Sequence, residues 1–152
     1  MKPRAVDSSV VTLKRLVQAG DLPAARRLLT DLASRKLPRE LWCELAYLAR
    51  QSQIPLLALR LLGPAVRPRG TRVAVATERE KAEYATCLDV IGANHEAIAL
   101  LKSIDTATCP IALLYHSIAL FRRWVYDEPI ELLRKYLNSP GPFPIATISS
   151  AP

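Results

Sequence analysis

Apolar residues recur along this chain at helical spacing. Ala25, Leu28, Leu29 and Leu32 stand at i, i+3, i+4 and i+7, which puts them on one face of a helix. Read from end to end, the pattern predicts helices in pairs. The first member of each pair covers about residues 8–19, 38–51, 77–91 and 110–124, and the second about 23–35, 55–64, 94–104 and 127–138. Pro23, Pro55 and Pro129 fall in the first turn of second members, where a missing N–H costs little. Gly20 and Gly92 sit between members of a pair, where a tight turn calls for positive φ.

The pairs repeat. Aligned on an alanine after the turn, Ala25 leads to Leu29, Ala58 to Leu62 and Ala97 to Leu101. Ile130 takes the same place in the fourth unit, with Arg134 where the leucine would be. These positions are 33, 39 and 33 residues apart, the size of one helix–turn–helix unit. The units cover about residues 8–37, 38–70, 77–109 and 110–138, in a domain of residues 1–138. The six extra residues fall in a loop at about 66–76, "VRPRGTRVAVA", where a short strand at "RVAVA" is the competing reading. The segment 139–152 holds four prolines and no charge, so it reads as a tail or linker outside the helices.

Trp42, Leu45 and Ala46, followed by Ala58, resemble the tetratricopeptide repeat. Ala85, Gly92, Ala97 and Pro110 match similarly in the third unit. Unit one lacks the tryptophan and the small residue of the first helix, and unit four lacks the alanine after the turn. The resemblance implies an all-α fold, a right-handed array of about four antiparallel hairpins forming an α-solenoid. A different hairpin repeat and a plain helical bundle remain the alternatives.

Composition narrows the function classes. Half of the 152 residues are apolar, enough for a buried core, and only 6% are aromatic. The longest apolar run, "PIALLYHSIALF", is too short to cross a bilayer, and the N-terminus carries Lys14 and Arg15 where a signal peptide needs an apolar core. Three widely spaced cysteines, Cys43, Cys87 and Cys109, fit a reduced, cytoplasmic protein without disulfides. The net charge of +7 is uneven: residues 1–72 hold +9 and residues 73–152 hold −2. The basic half allows diffuse, salt-sensitive nucleic-acid binding through residues such as Arg26, Arg27, Arg35 and Arg39, but the regular pair of base-reading residues per unit is missing.

No nucleophile elbow, phosphate loop or metal-ligand spacing occurs, so neither an enzyme nor a cofactor nor a metal site is expected. His95 reads as a turn residue or a helix N-terminal group, and His116 as a helix-contact residue with a satisfied hydrogen bond. A binding surface is the better expectation. In the tetratricopeptide arrangement the first helices line the concave side. That would turn Lys14 and Gln18, then Tyr47 and Arg50, then Arg79 and Asp89, then Tyr115 and Arg122 toward one groove. Basic heads beside aromatic rings suit an extended or acidic segment of a partner protein. On this reading Arg50→Ala and Arg122→Ala weaken binding while the fold stays intact. A chaperone for an aggregation-prone secreted partner is the alternative function, and a homo-oligomer or a larger parent chain is allowed.

Overall fold

The computed structural model describes residues 3–70 and 75–140. Over that range the protein is all-α. Eight helices follow one another: α1 (Pro3–Gln18), α2 (Leu22–Ala33), α3 (Trp42–Gln51), α4 (Pro55–Val66), α5 (Glu78–Val90), α6 (Asn94–Lys102), α7 (Ile111–Phe121) and α8 (Asp127–Asn138). A 3-10 turn at Arg39–Leu41 leads into α3. Residues 72–74 of the alternative strand, and the proline-rich segment from residue 141, lie outside the described residues. Among the described residues no helix is long and apolar enough to cross a membrane.

Each odd-numbered helix packs against the even-numbered helix that follows it, and also against the next odd-numbered helix. Neighbour-on-neighbour packing of this kind is what a helical repeat requires. The hairpins share one turn. Gly20, Gln53, Gly92 and Trp124 all have positive φ, between 60° and 93°. The N–H of each bonds the carbonyl three residues back, and the next N–H reaches five residues back: Asp21 to Leu16, Ile54 to Ala49, Ala93 to Leu88, Val125 to Leu120. This paired closure satisfies carbonyls that the end of the first helix leaves open.

The shared turn corrects the register of the fourth unit. Five residues beyond the left-handed residue stand Ala25, Ala58, Ala97 and Pro129, all essentially without solvent exposure. Pro129 therefore takes the alanine place, while Ile130 is 44% exposed. Four residues further on come Leu29, Leu62, Leu101 and Leu133, so unit four does keep its leucine, and Arg134 points to solvent. A compact proline ring meets the same steric demand as alanine, and it sits in the first helical turn where its missing N–H costs nothing. Seven residues before the turn, Leu13, Ala46, Ala85 and Ser117 are fully buried on the facing helices.

The core falls into two clusters along the helices. One part joins Leu13, Leu29, Leu45 and Leu62 to Tyr84, Cys87 and Leu88 of α5. The other joins Ala82 and Ala85 to Leu101, Ile111 and Tyr115. Helix starts are fixed locally. Thr77 and Glu80 form a reciprocal capping box on α5, and Asp21 accepts from the Ala24 N–H at α2. Contrary to the expected end at residue 64, α4 runs through Pro64 to Val66.

Two substitutions test the packing. Ala58→Leu and Ala97→Leu each put three extra carbons into a site with 0% exposure, and should each cost about 1–3 kcal/mol in urea unfolding. Stability within error of wild type for both would remove these alanines from the hairpin contact. The turn geometry makes a second, opposed pair of expectations. Gly92→Ala should destabilise by about 1 kcal/mol, because φ is 93° there although no atom obstructs a Cβ. Trp124→Gly, in dilute solution, should leave stability unchanged or raise it by up to about 1 kcal/mol, since a bulky residue at φ 60° is strained and this one is 81% exposed.

Candidate binding face on the first helices

The helices α1, α3, α5 and α7 lie side by side, and six residues before each turn they carry Lys14, Tyr47, Thr86 and Ile118. Lys14, Tyr47 and Ile118 are exposed and Thr86 half-buried, so this row runs along the accessible face. Between α1 and α3 the face opens into a cleft of about 300 Å³ lined by Lys14, Val17, Gln18, Glu44, Tyr47, Leu48 and Gln51. Three of the predicted binding residues, Lys14, Gln18 and Tyr47, thus come together. Lys14 pairs with Glu44 across the cleft, with both side chains more than a third exposed. An exposed pair of this kind contributes little and can exchange partners.

The middle of the face is built differently from the expectation. Glu83 of α5 is completely buried, and three helices converge on it. Arg50 of α3 donates from Nε at 3.0 Å and from Nη2 at 3.4 Å. Tyr115 of α7 donates its hydroxyl proton at 2.5 Å, while its oxygen accepts from Arg50 Nη2 at 3.0 Å. Arg79, one helical turn before Glu83, donates at 3.2 Å. The Arg50 guanidinium also lies 5.3 Å from the Tyr47 ring centre and 5.2 Å from that of Tyr115.

Two further pairs flank this centre. Asp89, 5% exposed, receives Arg122 from the C-terminal cap of α7 and accepts from Asn94 Nδ2 at 2.7 Å. Glu80, 3% exposed, is held by the fork of Arg39. The predicted groove residues therefore divide. Arg50, Asp89 and Tyr115 are consumed in contacts between helices and are not open to a groove. Arg79 and Arg122 keep 39% and 49% side-chain exposure, yet each already serves a buried carboxylate. The expectation that Arg50→Ala leaves the fold intact is corrected on the same ground: it would leave Glu83 buried without its principal cation.

Glu80 and Glu83 were not among the residues singled out from sequence. The partners lie far off in sequence and at no common interval: Arg50 stands 33 residues before Glu83 and Arg39 stands 41 before Glu80, against 39 between Ala58 and Ala97 of the same two units, so spacing alone does not signal them.

The site's electrostatics follow from burial and these pairings. Burial raises the Tyr115 hydroxyl well above its usual range, and adjacent Glu83 raises it further. Burial alone would lower Arg50, but the Glu83 charge outweighs it and holds the guanidinium protonated. Burial pushes the Cys43 thiol up to about 11 and Cys87 up to about 12, so both stay protonated at neutral pH and are poor nucleophiles. His95 is exposed beside Arg123. His116 is buried at 6% exposure, and its Nε2 meets no partner among the described residues, contrary to the satisfied contact expected for it. The chain matches no protein-family model, no curated protein and no solved structure.

Arg50→Ala should cost about 3 kcal/mol in chemical denaturation, at the low end for a broken buried pair because Arg79 and Tyr115 still contact Glu83. A loss under about 0.5 kcal/mol would mean that Glu83 is solvated in solution. Acid should destabilise the fold in two windows. Burial lowers His116 below its usual 6.5, so the unfolded chain takes up that proton first and stability falls as pH drops below about 6.5. Burial alone would raise the Glu80 carboxyl, but Arg39 and Thr77 outweigh it and hold it below 4.5, so its contribution is complete above about 4.5 and is lost at lower pH. In thermal scans across pH, His116→Gln should flatten the first window and leave the second.

Proposed function

We propose that the protein is a protein-interaction module, a right-handed, tetratricopeptide-like stack of four hairpins that takes a segment of another protein in the cleft between α1 and α3. The observation that carries this reading is the convergence of Lys14, Gln18 and Tyr47 from two helices onto one cleft with Val17 and Leu48 beneath them. Tyrosine supplies broad contact area at small entropic cost, and the amide and ammonium groups orient a polar backbone or acidic neighbour. At about 300 Å³ the cleft is the size for one large side chain and not for a folded domain. The partner is thus an extended segment that inserts an apolar or aromatic residue beside Tyr47 and sets an acidic residue over Lys14 in exchange for Glu44.

The network around Glu83 supports this in a second way. Arg50 stacks on Tyr47 and is itself fixed by Glu83 and Tyr115. The tyrosine is therefore held before any partner arrives, which lowers the ordering cost of binding.

Photocrosslinking from the cleft tests the reading. A photoreactive residue at Gln18 or Gln51 should capture a partner from the native cell extract, whereas one at Arg27, on the outer surface of α2, should not. Tyr47→Ala should then weaken that partner roughly tenfold or more without changing the helical circular dichroism. Capture from Arg27 alone, or normal affinity in Tyr47→Ala, would move the binding surface elsewhere.

A further inference from the structure

Among the described residues the α7–α8 hairpin has one face without a neighbour. Helix α8 packs on α7 alone among the described elements. Its outward side carries Ile130 at 44% and Leu137 at 78% exposure, and Phe121 at the end of α7 is 36% exposed. The turn between the two helices adds Trp124 at 81%, Val125 at 40% and Tyr126 at 50%, with the Tyr126 and Phe121 rings 6.2 Å apart. Exposed apolar side chains gathered on one hairpin in this way mark an interface, and tryptophan, tyrosine and arginine dominate the energetics of such surfaces.

The earlier hairpins show what these positions are for. Counted from the left-handed turn residue, Phe121 stands where Arg50 and Asp89 stand in units two and three. Those two residues reach across to Glu83 and Arg122 of the following hairpin. Ile130 stands where Leu59 and Ile98 do, and Leu137 where Val66 does, all three of which are packed half-buried against the core. The terminal hairpin therefore keeps apolar groups at places that the next helical pair covers elsewhere in the stack. Trp124 adds strain to exposure, because it holds a left-handed φ of 60° that Gly20 and Gly92 adopt freely.

The charges of α8 say what covers this face. Asp127, Glu128 and Glu131 occupy its first half, and Arg134 and Lys135 its second. Apart from the Glu131–Arg134 pair within the helix, these groups make no ion pair among the described residues. A second α8 running antiparallel would lay each acidic half over the other's basic half and oppose the two helix dipoles. A parallel copy would set like charge on like. The antiparallel arrangement also carries Leu137 of one copy to the Trp124–Tyr126 turn of the other and brings the two Ile130 side chains near the axis. One patch that complements itself in this way is what a two-fold dimer needs.

We infer that the outer face of α8, together with the α7–α8 turn, is a homodimer interface in which the two α8 helices pack antiparallel across a two-fold axis. The inference does not rest on the partner-binding role of the α1–α3 cleft, which lies at the other end of the stack and stays open in such a dimer.

Sedimentation equilibrium of the full chain, from micromolar to hundred-micromolar concentration, tests it. Wild type should move toward twice the monomer mass as concentration rises. Ile130→Asp combined with Leu137→Asp should raise the dissociation constant roughly tenfold or more, with unchanged circular dichroism. Glu128→Lys with Glu131→Lys, and separately Arg134→Glu with Lys135→Glu, should each weaken self-association. An equimolar mixture of those two charge variants should regain it as a heterodimer. A wild type that stays monomeric throughout, with this face left for a different partner or another segment of the chain, overturns the inference. So does a dimer indifferent to the Ile130 and Leu137 changes, or a pair of charge variants that fails to associate on mixing.

Discussion

Glu83 holds a carboxylate at a point with no solvent exposure, and the stack is arranged around keeping that group paired. A buried carboxylate with a partner removed loses several kcal/mol, so Arg50 from α3 and Tyr115 from α7 must both be in place when α5 packs. The three helices belong to three successive hairpins. One side chain thereby ties units two, three and four together at a single point. Apolar packing alone tolerates sliding, because leucine and alanine surfaces fit in several offsets. A charged pair with fixed hydrogen-bond geometry does not.

The same network decides what the face of the first helices can offer. Arg50, Tyr115 and Asp89 are spent on holding helices together, and Arg79 and Arg122 are partly spent. The N-terminal stretch of that face is open, and the exposed Lys14–Glu44 pair spans the α1–α3 cleft there. Rigidity reaches the proposed binding cleft through Arg50, which stacks on the Tyr47 ring while held by Glu83. A firmly held middle and an adaptable end follow from one placement of charge.

At the opposite end the rule that governs the interior runs out. Inner hairpins turn polar or apolar groups toward a successor that buries them, while Phe121, Ile130 and Leu137 of the α7–α8 hairpin are exposed among the described residues. A repeat array has no intrinsic means of closing itself, so its terminal units must differ or be covered. Here the outer helix combines an apolar stripe with a charge pattern that reverses along its length, which a copy of itself can complement. An assembly of two stacks joined at their last hairpins would carry two clefts, one toward each far end.

The sequence by itself determined the helices and their pairing, because periodicity of 3.6, prolines in first turns and glycine at the turns are local constraints that each segment obeys alone. It also determined the repeat of units one to three, where Ala25, Ala58 and Ala97 report a close helix approach without reference to the rest. The fourth unit was misread by one residue, since proline can fill the space of alanine and Trp124 can take the backbone of glycine, at a cost in strain that no local pattern announces. Only the tertiary structure decided which charges face water. The polar spelling of α5, with Glu80, Glu83 and Asp89, reads locally as a solvated surface, yet α5 lies at the centre of the stack with neighbours on both sides. Whether a carboxylate is a solubilising group or a buried anchor depends on partners more than 30 residues away, brought to it by packing between units.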